Sequence, residues 1–314
     1  MSIQAPRKLL ILDLNGTLLL RSKHARGAPH LGIRPRTVYP RPFLGPFREY
    51  IFHSSTMAWL DTMVWSSAQP PSVADMVNHC FGDHQHKFLA IWARDTLGIP
   101  PELYHRKTQT TKDLRTPWGA FPAHDVRTTV LLDDSVRKAH LHPNNHVCVL
   151  EYLQETRARD LVVWQTSEFG GALSEKPKKK RRSNKKQSVS AEDAVLDSAV
   201  HLASAPPTKY DETLLAVVGI LETLKTEGNV AEWMRGGGLL ADTAAGNTVE
   251  QMDKSPDSLA SQMAGLTVAA TQPLWFTSEP VVRHWVGVGV HALEALRIDV
   301  VPGIQGEISP ARQR

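Results

Sequence analysis

The first half of the chain alternates short apolar runs with segments of helical periodicity. Buried strands are predicted over residues 9–12, within 57–67, over 128–135 and over 147–150, because short continuous apolar runs are typical of strands covered on both faces. Helices are predicted over 41–54, 72–81 and 86–97, with Ser72 as the N-cap of the second and Gly98 ending the third. The alternation favours an α/β fold with a doubly wound, mainly parallel sheet.

The second half of the chain is less regular and contains two segments poor in apolar residues. Residues 165–207 are predicted to be a disordered basic insertion and 236–272 a flexible linker, since they cannot bury enough surface to offset the entropy of ordering. Helices are predicted from residue 211 onward and over 229–235. A last helix over about 281–296 lies within 273–304, which we expect to form a C-terminal helical appendage docked on the domain.

Charge and cysteine content indicate the compartment in which the protein is expected. The net charge of +4 comes mostly from the run 176–186, in which eight residues are Lys or Arg. Cys80 and Cys148 are the only cysteines, so a reducing compartment is expected rather than a disulfide framework. We find no apolar run of about 18 residues, as a membrane span would need, and the first strand begins too early for a signal peptide. These features predict a soluble intracellular protein.

Polar side chains follow three of the predicted strands at the point where each strand ends. Asp13 follows the first, Ser66 the second, and Asp133 with Asp134 the third. Because the carboxyl ends of parallel strands share one edge of a sheet, these groups should meet in one crevice. Adjacent carboxylates at a buried strand end repel each other unless a cation lies nearby.

These residue types suit the transfer of a phosphoryl group to a carboxylate. Asp13 can act as the nucleophile, and with Asp133 and Asp134 it forms an all-oxygen site suited to Mg²⁺. Ser66 can donate a hydrogen bond to a phosphate oxygen, and Lys112 can supply a compensating positive charge. The histidines have no matched metal-binding motif and indicate a zinc site only weakly.

Four short segments resemble the four motifs of the haloacid dehalogenase superfamily, in the same order: 13–18, 64–67, 111–114 and 130–135. The most similar branch is that of the RNA polymerase II C-terminal-domain phosphatases and NLI-interacting-factor-like phosphatases. Matching flanks include Arg41-Pro42, Tyr104-His105-Arg106 and Asn145. The resemblance covers about 8–153 plus 208–235 and implies one haloacid dehalogenase-like Rossmannoid domain interrupted by the basic insertion.

The resemblance also implies a role for each matched residue. Asp13 would become an aspartyl-phosphate, and Ser66 and Lys112 would bind the phosphate. Mg²⁺ would be held by Asp13, Asp133, Asp134 and the backbone carbonyl of Asn15, while Thr17, Arg41 and Arg106 would bind substrate or support the site.

Asn15 departs from the pattern of the active branch, which has Asp as general acid and base at this position. An amide cannot exchange a proton at ordinary pH, and losing general acid–base help costs about 10²–10⁴-fold in rate. The resemblance therefore implies a Mg²⁺-dependent phosphoprotein phosphatase for phosphoserine or phosphothreonine, working through an aspartyl-phosphate, and Asn15 predicts that its activity is attenuated.

Two alternatives stay open at this point. One is a pseudophosphatase that binds a phosphoprotein without turnover, and the other is an import component similar to the mitochondrial presequence-translocase receptor. The second should bring a targeting sequence and a membrane span, and the sequence predicts neither. The basic run 176–186 is either a solvated loop or a binding segment for a nuclear import factor or nucleic acid, so a location in the nucleus, the cytoplasm or both is expected.

Overall fold

The computed structural model describes residues 6–22, 36–106, 108–167, 208–240 and 274–304. Its strands are β1 Lys8–Leu12, β2 Leu19–Arg21, β3 Val38–Pro40, β4 Leu60–Trp65, β5 Ile91–Trp92, β6 Thr129–Asp133 and β7 His146–Cys148. Five of them form one parallel sheet in the order β5-β4-β1-β6-β7, and β2 pairs with β3 in an antiparallel hairpin. The predicted α/β fold with a mainly parallel sheet is confirmed.

Helices cover this sheet. They are α1 Leu44–Ile51, α2 Ser54–Met57, α3 Pro70–Phe81, α4 Arg115–Ala120, α5 Gln154–Thr166, α6 Thr213–Leu224, α7 Val230–Arg235 and α8 Glu279–Ala295. Within the described ranges, no helix has the length and apolar content needed to cross a membrane.

The central strand β1 is buried on both faces, which explains its unbroken apolar run. Leu10 and Leu12 belong to a core that also contains apolar residues of α1, α3, α6 and α8. Leu9 and Ile11 point into a second core with Leu114. Each face of the sheet therefore has its own hydrophobic layer, as expected for a doubly wound sheet.

The strand register brings the ends of three strands to one level. Leu12 is paired with Val64 of β4 on one side and with Leu132 of β6 on the other. Asp13 follows Leu12 and Asp133 follows Leu132, so the two aspartates lie next to each other at the carboxyl edge of the sheet. The end of β4 brings Ser66 to the same edge.

The prediction of a helix over residues 86–97 is wrong. This stretch contains the short strand β5 between two 3-10 turns, Gly82–Lys87 and Arg94–Thr96. The backbone N–H of Leu89 donates to the carbonyl of Thr62, and that of Val64 donates to the carbonyl of Ala90. Backbone partners along the open edge of β4 hold this segment extended, and a sequence pattern does not reveal such an edge.

The boundaries of other predicted helices also differ from the structure. Helix α3 begins at Pro70 with Gln69 as its N-cap, so Ser72 lies in its first turn and is not the cap. Two prolines at the start of the helix explain this, because their fixed φ suits the first turn. The helix predicted over 41–54 is shorter in the structure, where α1 covers Leu44–Ile51 and a separate short helix, α2, begins at Ser54. Strands β2 and β3 flank residues 22–37, of which 23–35 lie outside the described residues.

Helix α5 was not predicted, because it docks through polar contacts instead of an apolar stripe. The guanidinium of Arg157 lies 3.8 Å from the centre of the Tyr39 ring. The carboxylate of Asp160 accepts hydrogen bonds from the Tyr152 hydroxyl at 2.9 Å and from the backbone N–H of Asp211 at 2.9 Å. Contacts of this kind leave no periodic signal in the sequence.

The predicted insertion 165–207 and linker 236–272 lie outside the described residues, except for 165–167 and 236–240. The C-terminal segment after them packs on the domain. The indole N–H of Trp275 donates to the carbonyl of Cys148 at 2.7 Å, and that of Trp285 donates to the carbonyl of Leu239 at 3.0 Å. Helix α8 crosses α6 where Gly289 faces Leu215 and Gly219 faces Trp285.

Replacing Gly289 by Ala is expected to lower the free energy of unfolding by about 1–3 kcal/mol. A Cβ atom at this position would overlap the backbone carbonyl of Leu215, so the two helices would have to move apart. Urea unfolding measures the change. Gly287→Ala on the same helix is the matched control, because nothing lies within 4 Å of its added Cβ. Equal unfolding midpoints for the two variants would contradict the prediction.

Candidate active site

Asp13 is a buried carboxylate at the carboxyl end of β1. Its backbone N–H donates to the carbonyl of Leu132 at 2.9 Å, which fixes the residue beside β6. Its side chain is 2% exposed. One carboxylate oxygen accepts a hydrogen bond from Lys112 Nζ at 3.0 Å, and the other accepts one from Lys138 Nζ at 3.1 Å. Both oxygens of the candidate nucleophile are therefore paired with ammonium groups.

Asp133 is paired with the same two lysines. Its Oδ2 accepts from Lys112 Nζ at 2.6 Å, and its Oδ1 accepts from Lys138 Nζ at 3.0 Å and from the backbone N–H of Ser135 at 2.8 Å. The backbone N–H of Lys112 donates to the carbonyl of Lys138 at 2.8 Å. The two loops that carry the lysines thus hold each other in place.

The turn after β1 is locked to the turn after β6. The hydroxyl of Thr17 accepts from the backbone N–H of Asp134 at 3.0 Å and donates to the carboxylate of that residue at 3.2 Å. Gly16 has φ +93°, and a Cβ there would lie 2.9 Å from Asp134 Oδ2, so the turn needs glycine for its conformation and for its space. Thr17 therefore supports the site.

A cavity of about 310 Å³ opens in front of Asp13. Four residues that the sequence predicted for the site line it, together with others that it did not: Asp13, Asn15, Ser66, Asp134, and Arg21, Arg36, Ser67, Ala68, Met76, Lys138, Glu151. Anionic and cationic groups are mixed on its wall. A polar cavity of this size can hold a phosphate group and part of the residue that carries it.

Asn15 is an exposed residue at the cavity wall. Its side-chain oxygen accepts a hydrogen bond from the backbone N–H of Arg21 at 2.8 Å. Ser66 is buried, and its hydroxyl accepts a weak hydrogen bond from the backbone N–H of Ala68 at 3.3 Å. The Ser66 hydroxyl hydrogen remains available to a ligand oxygen.

Burial and the two lysines set the ionisation of the acidic groups. Burial would raise the pKa of Asp133, but the charges of Lys112 and Lys138 outweigh it and hold that pKa below its usual range. Burial, together with the neighbouring carboxylates, raises the pKa of Asp134 to about 7 against the opposing charge of Lys138. Burial would lower the pKa of Lys138, but the facing carboxylates raise it above its usual range. At neutral pH Asp133 is ionised and Lys138 is protonated.

The two arginines predicted for substrate binding or support lie in different surroundings. Arg41 is buried away from the cavity and donates to the Thr17 carbonyl at 2.9 Å and to the Asp211 carboxylate at 2.8 Å. It therefore supports the turn after β1 without lining the cavity. Arg106 is exposed and is not among the residues that line the cavity. Its backbone carbonyl accepts from Arg94 at 2.8 Å.

Lys138 is the central residue that sequence reasoning missed. Its position in the loop after Asp133 and Asp134 was the available signal, because a lysine close to two adjacent acids can neutralise them. Arg21, Arg36 and Glu151 were also missed, and only the folding of their loops brings them to the cavity wall.

Asp13, Asp133 and Asp134 form the one group of three or more metal-ligating side chains among the described residues. One oxygen of each lies within 4.8 Å of the others. Three carboxylate oxygens are a donor set that suits a hard divalent cation such as Mg²⁺. The predicted ligands therefore fit the metal in number and type, although Lys138 contacts the same three carboxylates.

The profile of a family described as NLI interacting factor-like phosphatase matches residues 8–178, more than half of the chain. An uncharacterized FCP1 homology domain-containing protein of Schizosaccharomyces pombe is 35% identical over 161 residues. That alignment covers 48% of this chain and 64% of the relative, so the chain spans less than two thirds of its length.

Two solved structures are similar in part of their fold. The structure of Fcp1, described as an essential RNA polymerase II CTD phosphatase, has a TM-score of 0.43 at 14% identity and covers 74% of this chain and 71% of that chain. A fission yeast Fcp1 variant bound to beryllium fluoride has a TM-score of 0.31 at 13% identity, with coverage of 74% and 61%.

Proposed function

This chain belongs to the NLI interacting factor-like phosphatase family, and on that premise we propose that it is a slow phosphoprotein phosphatase with Asp13 as its nucleophile. The observation that supports this most directly is the position of Asp13, which lies at the end of β1, faces the cavity and contacts two ammonium groups. A carboxylate held in this way is oriented toward a ligand in the cavity, as nucleophilic catalysis requires.

The first proposed step is attack by an Asp13 oxygen on the phosphorus of a phosphoserine or phosphothreonine. The bond to the serine or threonine oxygen breaks, and that oxygen must leave with a proton. The Ser66 hydroxyl would bind a phosphate oxygen. Lys112 was also predicted to bind the phosphate, but it is fully buried, pairs with Asp13 and does not line the cavity, so it would compensate negative charge through Asp13. Mg²⁺ held by Asp13, Asp133 and Asp134 would neutralise charge on the phosphoryl group.

Asn15 is the residue that would slow both steps. It stands where an acid would protonate the leaving oxygen and where a base would then activate the water that hydrolyses the aspartyl-phosphate. Its amide can do neither. We therefore expect the phosphorylated form of Asp13 to accumulate when the chain meets a substrate with a good leaving group, such as an aryl phosphate.

Substrate selection would depend on the cavity mouth. Arg21 and Arg36 line the cavity on the side of the β2–β3 hairpin, and Arg21 also forms an ion pair with Asp75 at 3.2 Å. Guanidinium groups at this place favour a phosphorylated segment with further negative charge.

The other predictions about partners remain predictions. The basic run 176–186 lies outside the described residues, and a nuclear import factor or nucleic acid as its partner, with a location in the nucleus, the cytoplasm or both, rests on the sequence alone. No observation favours the pseudophosphatase or the import component over the phosphatase. A chain that binds phosphoprotein without ever forming the aspartyl-phosphate would be a pseudophosphatase.

Incubation with an aryl phosphate and Mg²⁺ is expected to leave one phosphoryl group on Asp13, detectable by intact mass after acid quench and by peptide mapping. Asp13→Asn should remove this label completely, because an amide is not a nucleophile toward phosphorus at neutral pH. Asp95→Asn, at an exposed position outside the cavity, is the matched control and should label like the wild type. Equal labelling of the Asp13→Asn variant would contradict the proposal.

A further inference from the structure

Lys138 makes three ion pairs with the carboxylates of the candidate metal site. Its Nζ lies 3.1 Å from Asp13 Oδ2, 3.0 Å from Asp133 Oδ1 and 3.4 Å from Asp134 Oδ1. An ammonium group has three hydrogens to donate. All three are directed at the residues that would bind a divalent cation.

The ammonium group and a metal ion cannot share this place. A metal ligated by these carboxylates needs an oxygen from each of them, and Lys138 Nζ occupies the point between the three. Two cations a few ångströms apart in a mostly buried site also repel each other strongly. Binding of a metal ion therefore requires the Lys138 side chain to move away.

Of the two lysines at the site, only Lys138 has somewhere to go. The side chain of Lys112 is fully buried, whereas that of Lys138 is 15% exposed and lines the cavity in front of Asp13. Rotation of the Lys138 side chain would place its ammonium group in the cavity. There it could pair with Glu151, which also lines the wall, or with a bound phosphate.

We propose that Lys138 is an internal competitor of the divalent cation: its ammonium group occupies the space between Asp13, Asp133 and Asp134 and leaves when a metal ion binds. The competition weakens metal binding, so the site holds metal only at high concentration of the free ion. This inference rests on the proposed phosphatase site but concerns metal affinity alone. A chain that binds metal as described here and never hydrolyses a phosphoester would contradict only the proposed function.

The test is a titration of the full chain with Mn²⁺. Binding is measured by calorimetry and by the paramagnetic signal of the free ion. Lys138→Met is expected to bind Mn²⁺ at least about tenfold more tightly than the wild type, because a positive charge at the metal position is removed. Lys138→Arg keeps the charge and should not gain affinity. Lys225→Met removes a surface lysine paired with Glu222 and is the matched control for net charge. Equal affinities of Lys138→Met and the wild type would overturn the proposal.

A second measurement uses the unmodified protein and so avoids any folding defect of the variant. Acetylation of lysines, read by peptide mass spectrometry, should modify Lys138 several times faster at saturating Mn²⁺ than in chelator, since the displaced ammonium group enters the cavity. Lys112 should stay protected in both conditions, and Lys225 should react equally in both. Saturation with Mn²⁺ that leaves Lys138 as protected as in chelator would also overturn the proposal.

Discussion

Replacing Asn15 by Asp is expected to raise the Mg²⁺-dependent hydrolysis of a phosphoserine peptide by about 10²–10⁴-fold, the usual contribution of a positioned general acid and base. The carboxyl group would lie at the cavity wall, within reach of a leaving oxygen bound in front of Asp13. It would also keep the hydrogen bond from the backbone N–H of Arg21, since either carboxylate oxygen can replace the amide oxygen.

The size of the gain should depend on the leaving group. A serine alkoxide needs a proton in order to leave, whereas a phenolate does not, so an aryl phosphate should form the aspartyl-phosphate at a similar rate in both proteins. Asn15→Asp should then lose its phosphoryl label quickly, because water activation is restored. The rates of peptide hydrolysis and of label decay, measured in parallel, separate the two steps.

The matched control for this variant is Asn78→Asp, an exposed change of the same kind on α3. Mass spectrometry of residue 15 is needed with each sample, because an Asn followed by Gly deamidates readily. Activity from a trace of the deamidated protein would then be wrongly assigned to the wild type. If the wild type, with Asn15 intact, hydrolyses phosphoserine as fast as Asn15→Asp does, then Asn15 does not attenuate the chain.

Replacing Arg41 by Met is expected to lower the free energy of unfolding by about 3–5 kcal/mol, as the removal of one partner of a buried ion pair does. The guanidinium is buried and pairs with Asp211, whose side chain is 8% exposed. It also donates to the backbone carbonyls of Thr17 and Leu150 at 2.9 Å each. The variant would leave a buried carboxylate and two carbonyls without these donors.

Urea unfolding of the full chain measures this loss. Arg283→Met, which removes a mostly exposed arginine paired with Glu279 on α8, should change the unfolding midpoint little. Combining Arg41→Met with Asp211→Leu should recover part of the stability, since the unpaired charge is then also removed. An Arg41→Met chain as stable as the wild type would show that Arg41 does not hold the turn containing Thr17.

Local patterns predicted the part of the fold that depends on burial of the central strands. The runs that became β1, β4 and β6 are apolar because both faces of the sheet are covered, and that cause acts on every residue of the run. The acidic and hydroxyl residues that end these runs could be assigned to one sheet edge, because parallel strands bring their carboxyl ends together. The family resemblance then followed from the order of the motifs.

Edge strands and polar contacts were beyond the reach of such patterns. The strand β5 pairs with β4 through only two residues, and helix α5 is held by Arg157 and Asp160, so neither has a periodic signal. Arg41 was noted in the motif flank, but its partner Asp211 is separated from it by the whole basic insertion. Patterns within a short stretch of sequence cannot reveal a buried ion pair whose partners are so far apart along the chain.

The candidate site also has a part that the sequence predicted and a part that only the folded structure decided. Its reactive groups, Asp13 and the amide of Asn15, could be read directly from the chain, since chemical identity does not depend on folding. The environment of those groups depended on the packing of distant loops, which places Lys138 between three carboxylates and Arg21 at the cavity wall. Charge interactions act through space rather than along the chain, so the charged residues that surround the three carboxylates can be identified only once the loops are folded together.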